Sequence, residues 1–213
     1  MIRVYYADVS PLGDDTIYDA AIASLPPQRK QKAEALVQRD DRNLSVGASL
    51  VLMHALKLAG YDAHSLDFST QKGGKPCIIN ADVHFSITHS GTLAMCAVAD
   101  CPVGIDAEEI TSFNPNICKR FFSKAEREQI FASSDEDIIK DTFFRIWTIK
   151  ESYVKMTGRG LGAFSEFEVR LSPAPCIKGG EECTITELEM RGYKAAVCAR
   201  ADDAIETEKI KIF

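Results

Sequence analysis

The chain has 213 residues, of which 46% are hydrophobic and 26% charged, with a formal net charge of −6. That composition describes a globular protein of one large domain or two lobes, and its acidic balance argues against long nucleic acid as a partner. No apolar run approaches the ~20 residues that span a bilayer, and "MIRVYYADVS" lacks the basic segment and apolar core of a secretion signal. A cytoplasmic protein without membrane contact is expected.

The first element is a strand at 2–8, followed by helices near 14–24, 28–38 and 43–59, the last stopped by Gly60. The stretch "QRKQKAEALVQRDDR" carries Arg29, Lys30, Lys32, Arg39 and Arg42. It reads equally as a solvated helix face or as an anion site. Shorter strand-like pieces follow in "SLDFST", "VHFSITHS", "TLAMCAVAD" and "VGIDAEE". Further on, "SKAE" has the capping-box pattern, with Ser123 as N-cap and Glu126 three residues later. A longer helix is expected from Asp135 to Thr157, stopping at Gly158, and then strands in "FEVRL", "CTITELEM", "YKAAVCAR" and "EKIKIF".

Both halves read as helices followed by a β-meander, and "GTLAMCAVAD" (91–100) resembles "GYKAAVCARAD" (192–202). The likeness reads either as a chance recurrence of alternating small and apolar residues or as an internal duplication; a duplication implies an α+β protein of two similar lobes, 1–102 and 103–213, related by a pseudo-twofold, with a site in the cleft between them. The seven cysteines are scattered and form no CxxC pair, which argues against a disulfide framework and a zinc site and for buried free thiols.

Four stretches carry chemistry. In "VGIDAEEI", Asp106 and Glu108 are two apart on a strand and share a face. Like charges that close call for a cation between them or a proton on one. In "RIWTIKESYVKMTGRGLG", Trp147, Glu151 and Lys155 lie on one helix face, beside an apolar stripe of Ile139, Phe143 and Ile146. Glu151 and Lys155 could equally be a plain surface ion pair. "KGGKPCI" (72–78) suits a phosphate or an ordinary turn, without the pattern of a P-loop. "FSITHSG" places Thr88, His89 and Ser90 at a strand end, with no GxSxG elbow to support a serine hydrolase.

Taken together, "GGKP", "SITHSG", "GIDAEE", "FFSKAE" and "WTIKESYVKMTGRGL" in this order resemble the 4'-phosphopantetheinyl transferases, in the larger pseudo-duplicated group that activates carrier proteins of peptide and polyketide synthetases. The resemblance implies a Mg²⁺ ion (Mn²⁺ as a substitute) held by Asp106, Glu108 and Glu151 on the pyrophosphate of coenzyme A, the substrate. Mg²⁺ suits such a set, since it prefers oxygen and is held by few carboxylates plus phosphates. The implied reaction transfers the phosphopantetheine arm to a serine of an apo acyl or peptidyl carrier protein, releasing adenosine 3',5'-bisphosphate.

By the same resemblance Glu151 is the base for that serine, Lys155 neutralises phosphate charge, and His89 joins them. Arg29 and Lys32 reach the 3'-phosphate; Gly74, Lys75 and Pro76 flank the adenine; Thr88 and His89 meet the phosphates. Lys150, on another helical face, has a weaker assignment. Two positions depart from the family pattern: Thr88 stands where many relatives have Ser, and Asn43 occupies the slot of an arginine, with Arg42 one residue away. The carrier is expected to dock on 114–126, using Phe121 and Phe122 with Lys119, Arg120 and Lys124, one of the two Phe residues being core. A monomer is expected. The competing readings are a metal-dependent pyrophosphatase or phosphodiesterase and a non-catalytic coenzyme A or carrier-binding module.

Overall fold

A computed structural model of the protein describes residues 1–200 and 203–212. In chain order its first elements are β1 (Ile2–Asp8), α1 (Asp15–Ala23), α2 (Pro27–Glu34), α3 (Arg39–Leu58), β2 (Phe68–Thr70), β3 (Pro76–Ile78), β4 (His84–Ser90) and β5 (Leu93–Ala99). There follow β6 (Val103–Glu109), α4 (Pro115–Phe121), α5 (Lys124–Ile130), α6 (Glu136–Thr157), β7 (Glu168–Arg170), β8 (Cys176–Lys178), β9 (Thr184–Met190), β10 (Tyr193–Ala199) and β11 (Ile205–Lys209). The fold is a mixed α+β one. Two compact units emerge, one of Met1–Thr70, Pro76–Asp100 and Asp203–Phe213, the other of Gln71–Lys75 and Cys101–Asp202.

The first unit is built on a sheet of order β11-β1-β5-β4, in which β11 runs parallel to β1 and the other pairs are antiparallel. Helix α3 packs on this sheet through Val46, Ala48, Val51, Leu52, Ala55 and Leu56, the apolar stripe of a helix with a buried face. Gly47 permits the approach, because a Cβ there would run into the Val9 side chain. The helix begins at Arg39, four residues earlier than expected. Asp40 and Asp41 in its first turn suit the positive end of the helix dipole, a polar start that apolar periodicity does not register.

The second unit is built on a sheet of order β6-β10-β9, all antiparallel, with α6 lying across β6 and β10. The expected capping box is present: Ser123 Oγ accepts from the Glu126 N–H and Glu126 Oε2 from the Ser123 N–H. Asp135 caps α6 by accepting from the N–H groups of Asp137 and Ile138, and Gly158 ends it in the left-handed region at φ 73°.

Internally the two units share one plan: an opening strand, helices, one long helix, a short hairpin and a long hairpin. The long hairpins β4–β5 and β9–β10 turn at Gly91 and Gly192, both at positive φ (57° and 81°). Tyr5 stands opposite Cys96 in the first sheet as Asp106 stands opposite Ala196 in the second. Of the second similar stretch, residues 201 and 202 lie outside the described residues.

Several boundaries differ from expectation. A division at residue 102 misses that 71–75 belong with the second unit and the final segment with the first. The last strand lies at 205–209, not 208–213, because its register is set by pairing with β1 (Ile2 with Ile205). Ile210 and Ile212, which suggested a later strand, pack instead on the first core, and Phe213 lies outside the described residues. The strands expected in "SLDFST" and "FEVRL" are present as the three-residue β2 and β7, while their hairpin partners β3 and β8, also three residues each, are too short to show a period. All seven cysteines are free thiols, but only Cys96, Cys118 and Cys198 are buried.

Candidate active site

The site residues of the second unit are set by β6 and α6. Gly104 is where strand and helix meet: a Cβ there would overlap the Ser152 carbonyl oxygen and stand 3.0 Å from the Lys155 carbonyl carbon. Only glycine lets the two backbones approach so closely. Two residues on, on the same strand face, Asp106 is carried to the helix and is only 3% exposed. Lys155 Nζ donates to Asp106 Oδ1 at 2.7 Å. The lysine's charge therefore crosses from helix to strand, where the sequence also allowed a local pair with Glu151.

Glu151 is half-buried one helical turn before Lys155. Its pKa is pushed up to about 7, first by burial and then by the charge on Asp106, with Glu108 adding and Lys155 opposing. Loss of water and two neighbouring carboxylates both disfavour the anion. Glu108 lies on β6 opposite Lys194 of β10. The arrangement is thus an acidic cluster with one ammonium already inside it. Among the described residues no three His, Cys, Asp or Glu side chains converge as a ready-made metal cage. A Mg²⁺ ion is commonly held by one or two carboxylates plus substrate phosphates, and the oxygen-only donors Asp106, Glu108 and Glu151 fit that chemistry.

Lys150 proves to be structural. Its side chain and that of Glu126 are both 0% exposed, and Lys150 Nζ donates to Glu126 Oε1 at 2.8 Å. It also donates to the carbonyls of Phe164 (3.0 Å) and Phe167 (3.3 Å), which uses all its protons. Its ammonium lies over the Phe167 ring at 4.3 Å. Glu126 accepts in addition from the N–H groups of Val169 and Ser123, both at 2.7 Å. One carboxylate thus ties α5, α6 and β7 together. Burial holds the Lys150 pKa below the usual lysine range, with Glu126 opposing. Sequence reasoning read Glu126 only as a cap. The available signal was Lys150 itself, which falls on the helix stripe of Phe143, Ile146 and Tyr153.

Trp147, on the face of Glu151, sits among aromatic rings: Phe143 stacked at 6.1 Å, Phe164 at 5.7 Å and Phe121 at 5.9 Å. Phe122 is 4% exposed and core, whereas Phe121 is partly buried and carries the Arg120 guanidinium 4.9 Å above its ring. The loop 71–75 belongs to this unit. Gly74 lies at φ +86°, and Lys75 Nζ donates to the Val103 carbonyl at 2.8 Å, at the start of β6.

In the first unit Arg29 is buried and donates from Nε to Ser49 Oγ at 3.0 Å. Desolvation lowers its pKa; it lowers that of Lys32 too, where the charge of Arg29 adds. Two cations three residues apart on α2 make a local positive site. Thr88 is buried and His89 exposed on β4, opposite faces of one strand, so a single ligand meets both only around the strand end. Pro76 opens β3, paired with Thr70. Arg42 donates to the Val37 carbonyl at 3.4 Å within its own segment.

The family model of the 4'-phosphopantetheinyl transferase superfamily matches residues 102–198, which include β6 and α6. The chain is 35% identical over 188 residues to 4'-phosphopantetheinyl transferase Sfp of Bacillus subtilis (strain 168), covering 84% of each chain. It is 32% identical over 204 residues to another 4'-phosphopantetheinyl transferase of Bacillus subtilis, covering 92% of this chain and 91% of the relative. It is 36% identical over 121 residues to 4'-phosphopantetheinyl transferase HetI of Nostoc sp., covering 54% of this chain and 51% of the relative. The chain belongs to the 4'-phosphopantetheinyl transferase superfamily. Among the described residues no helix is long and apolar enough to cross a membrane.

Proposed function

We propose that the protein transfers the 4'-phosphopantetheine arm of coenzyme A to a serine hydroxyl of an apo carrier protein, releasing adenosine 3',5'-bisphosphate. The observation that carries this reading is the Lys155–Asp106 pair at 2.7 Å beside Glu151, on the two elements that the family model spans. Such a transfer needs positioning, charge neutralisation and a proton acceptor near the nucleophile. Lys155 supplies a cation that can turn from Asp106 to a phosphate oxygen. Glu151 supplies a carboxylate whose Oε atoms can take the serine proton, directly or through water.

Asp106, Glu108 and Glu151 are the residues that would hold Mg²⁺, and Mn²⁺ would serve in its place. Bound there, the ion would neutralise charge on the pyrophosphate. Arg29 and Lys32 are suited to the 3'-phosphate, Gly74, Lys75 and Pro76 to the adenine, and Thr88 with His89 to the remaining phosphates. The carrier is proposed to dock on 114–126, where Phe121 is partly exposed and Lys119, Arg120 and Lys124 offer positive charge to an acidic partner. The protein is read as a cytoplasmic monomer.

The test separates transfer from hydrolysis and from mere binding. Release of adenosine 3',5'-bisphosphate from coenzyme A is followed with and without apo carrier protein. The proposal requires release only when carrier is present; release without it indicates a hydrolase, and no release with any carrier indicates a binding module.

A further inference from the structure

Two glycine-rich stretches that are far apart in sequence, "KGGK" (72–75) and "TGRG" (157–160), lie backbone against backbone in the second unit. A Cβ on Gly73 would overlap the carbonyl oxygen of Gly158 and stand 2.8 Å from its carbonyl carbon and 3.1 Å from that of Arg159. These are main-chain atoms at the C-terminal cap of α6, which cannot rotate aside as a flexible side chain could. A Cβ on Gly160 would likewise stand 3.0 Å from the Gly73 carbonyl oxygen. Gly73 does not adopt a positive φ, so its requirement is for space and not for an unusual backbone conformation.

The rest of the loop is fixed around this seat. Gln71 N–H donates to the Lys75 carbonyl at 2.8 Å and Gly74 N–H to the Gln71 carbonyl at 2.9 Å, closing the turn on itself. Lys75 Nζ then holds the Val103 carbonyl, one residue before Gly104. The loop is therefore attached to the end of α6, the helix of Glu151 and Lys155, and to the start of β6, the strand of Asp106 and Glu108.

We infer that Gly73 is a positioning residue: its backbone seat on Gly158 sets where Gly74 and Lys75 meet the nucleotide end of coenzyme A. The inference rests on the transferase reading above and adds a residue to it. A loop lifted from the seat carries its nucleotide contacts with it, while the carboxylates and Lys155 keep their places on β6 and α6. The cost falls on coenzyme A binding and not on the carrier or the chemical step.

Steady-state transfer to an apo carrier protein tests this with wild type, Gly73→Ala and Gly162→Ala. Gly162 has open space where its Cβ would be, so Gly162→Ala matches wild type. For Gly73→Ala the KM for coenzyme A rises about 10-fold or more, since a displacement of about 1 Å is enough for such losses. Its KM for the carrier and its kcat stay within about threefold of wild type. A fall in kcat with both KM values unchanged marks lost folded enzyme only, and overturns the inference. So does equality with wild type.

Should Gly73→Ala not fold, hydrogen exchange of the wild type decides. Addition of adenosine 3',5'-bisphosphate protects 71–75 and 157–161 together; protection of 71–75 alone contradicts the seat. A wild type that neither transfers the arm nor binds this nucleotide overturns the functional reading, and the inference with it. A competent wild type with an unaffected Gly73→Ala variant overturns the inference alone.

Discussion

Lys155 and Asp106 are 49 residues apart in sequence and 2.7 Å apart in space, joining the last turns of α6 to the middle of β6. The aspartate is nearly buried and the lysine is partly exposed, so the pair is closer to a buried ion pair than to a surface one. Removing one partner leaves a buried charge uncompensated. Lys155→Met is expected to lower stability by about 1–3 kcal/mol and to abolish turnover. Adding Asp106→Asn restores part of the stability and none of the activity. Urea denaturation of wild type, Lys155→Met and the double variant checks this; a double variant no more stable than Lys155→Met alone would contradict it.

The Lys150–Glu126 pair gives a contrasting case, because both side chains are fully buried. Lys150→Met leaves Glu126 without its cation, at an expected cost of about 3–5 kcal/mol. Lys150→Met with Glu126→Gln recovers much of that, since the glutamine still accepts from the Val169 or Ser123 N–H. Thermal unfolding measures it. If the double variant is as unstable as the single, the pair does not act as one unit.

Glu151 gives the pH dependence its sign. Its folded pKa of about 7 lies above the ordinary glutamate value of 4.5, so between those values the folded chain binds more protons than the unfolded one. Stability from this group therefore falls as pH rises through that window. Glu151→Gln removes the effect. The variant is expected to gain stability over wild type as pH rises from 4.5 to about 7, and to hold that gain above it. Each kcal/mol corresponds to roughly 2–4 °C of Tm in a chain of this size. Melting curves without added metal across that range decide; a wild type that gains on the variant with rising pH contradicts the assignment.

Lys32 and Lys75 are distinguished by the 3'-phosphate. Lys75 Nζ is engaged with the Val103 carbonyl, whereas Lys32 adds its charge beside Arg29. Lys32→Ala should weaken coenzyme A more than dephospho-coenzyme A, by about tenfold, the worth of one charge-assisted contact. Lys75→Ala should weaken both alike. Calorimetry with both ligands tests the pair, and equal losses for Lys32→Ala would refute its assignment.

Much of this was legible in the sequence because it is local. Ser123 with Glu126, Asp135 and Gly158 signal helix ends through chemistry that acts within one turn, and they are found where expected. Asp106 and Glu108 share a face by strand alternation alone. What was not legible depends on partners far away in the chain. Nothing near Lys155 says that its ammonium will choose Asp106 over Glu151. Nothing near Glu126 says that Lys150 and Val169 will complete it. Gly73 looks like any turn glycine until the Gly158 carbonyl is placed against it. The placement of β11 beside β1 was hidden for the same reason.

The central claim is group transfer to a carrier serine, and intact-mass measurement of an apo carrier protein incubated with coenzyme A, Mg²⁺ and the enzyme tests it most directly. Wild type should add one phosphopantetheine arm, about 340 Da, through a single phosphodiester bond. Asp106→Ala should add none while keeping its fold, and excess EDTA should stop the wild type. No mass gain on any acyl or peptidyl carrier, or undiminished gain with Asp106→Ala, would contradict the account.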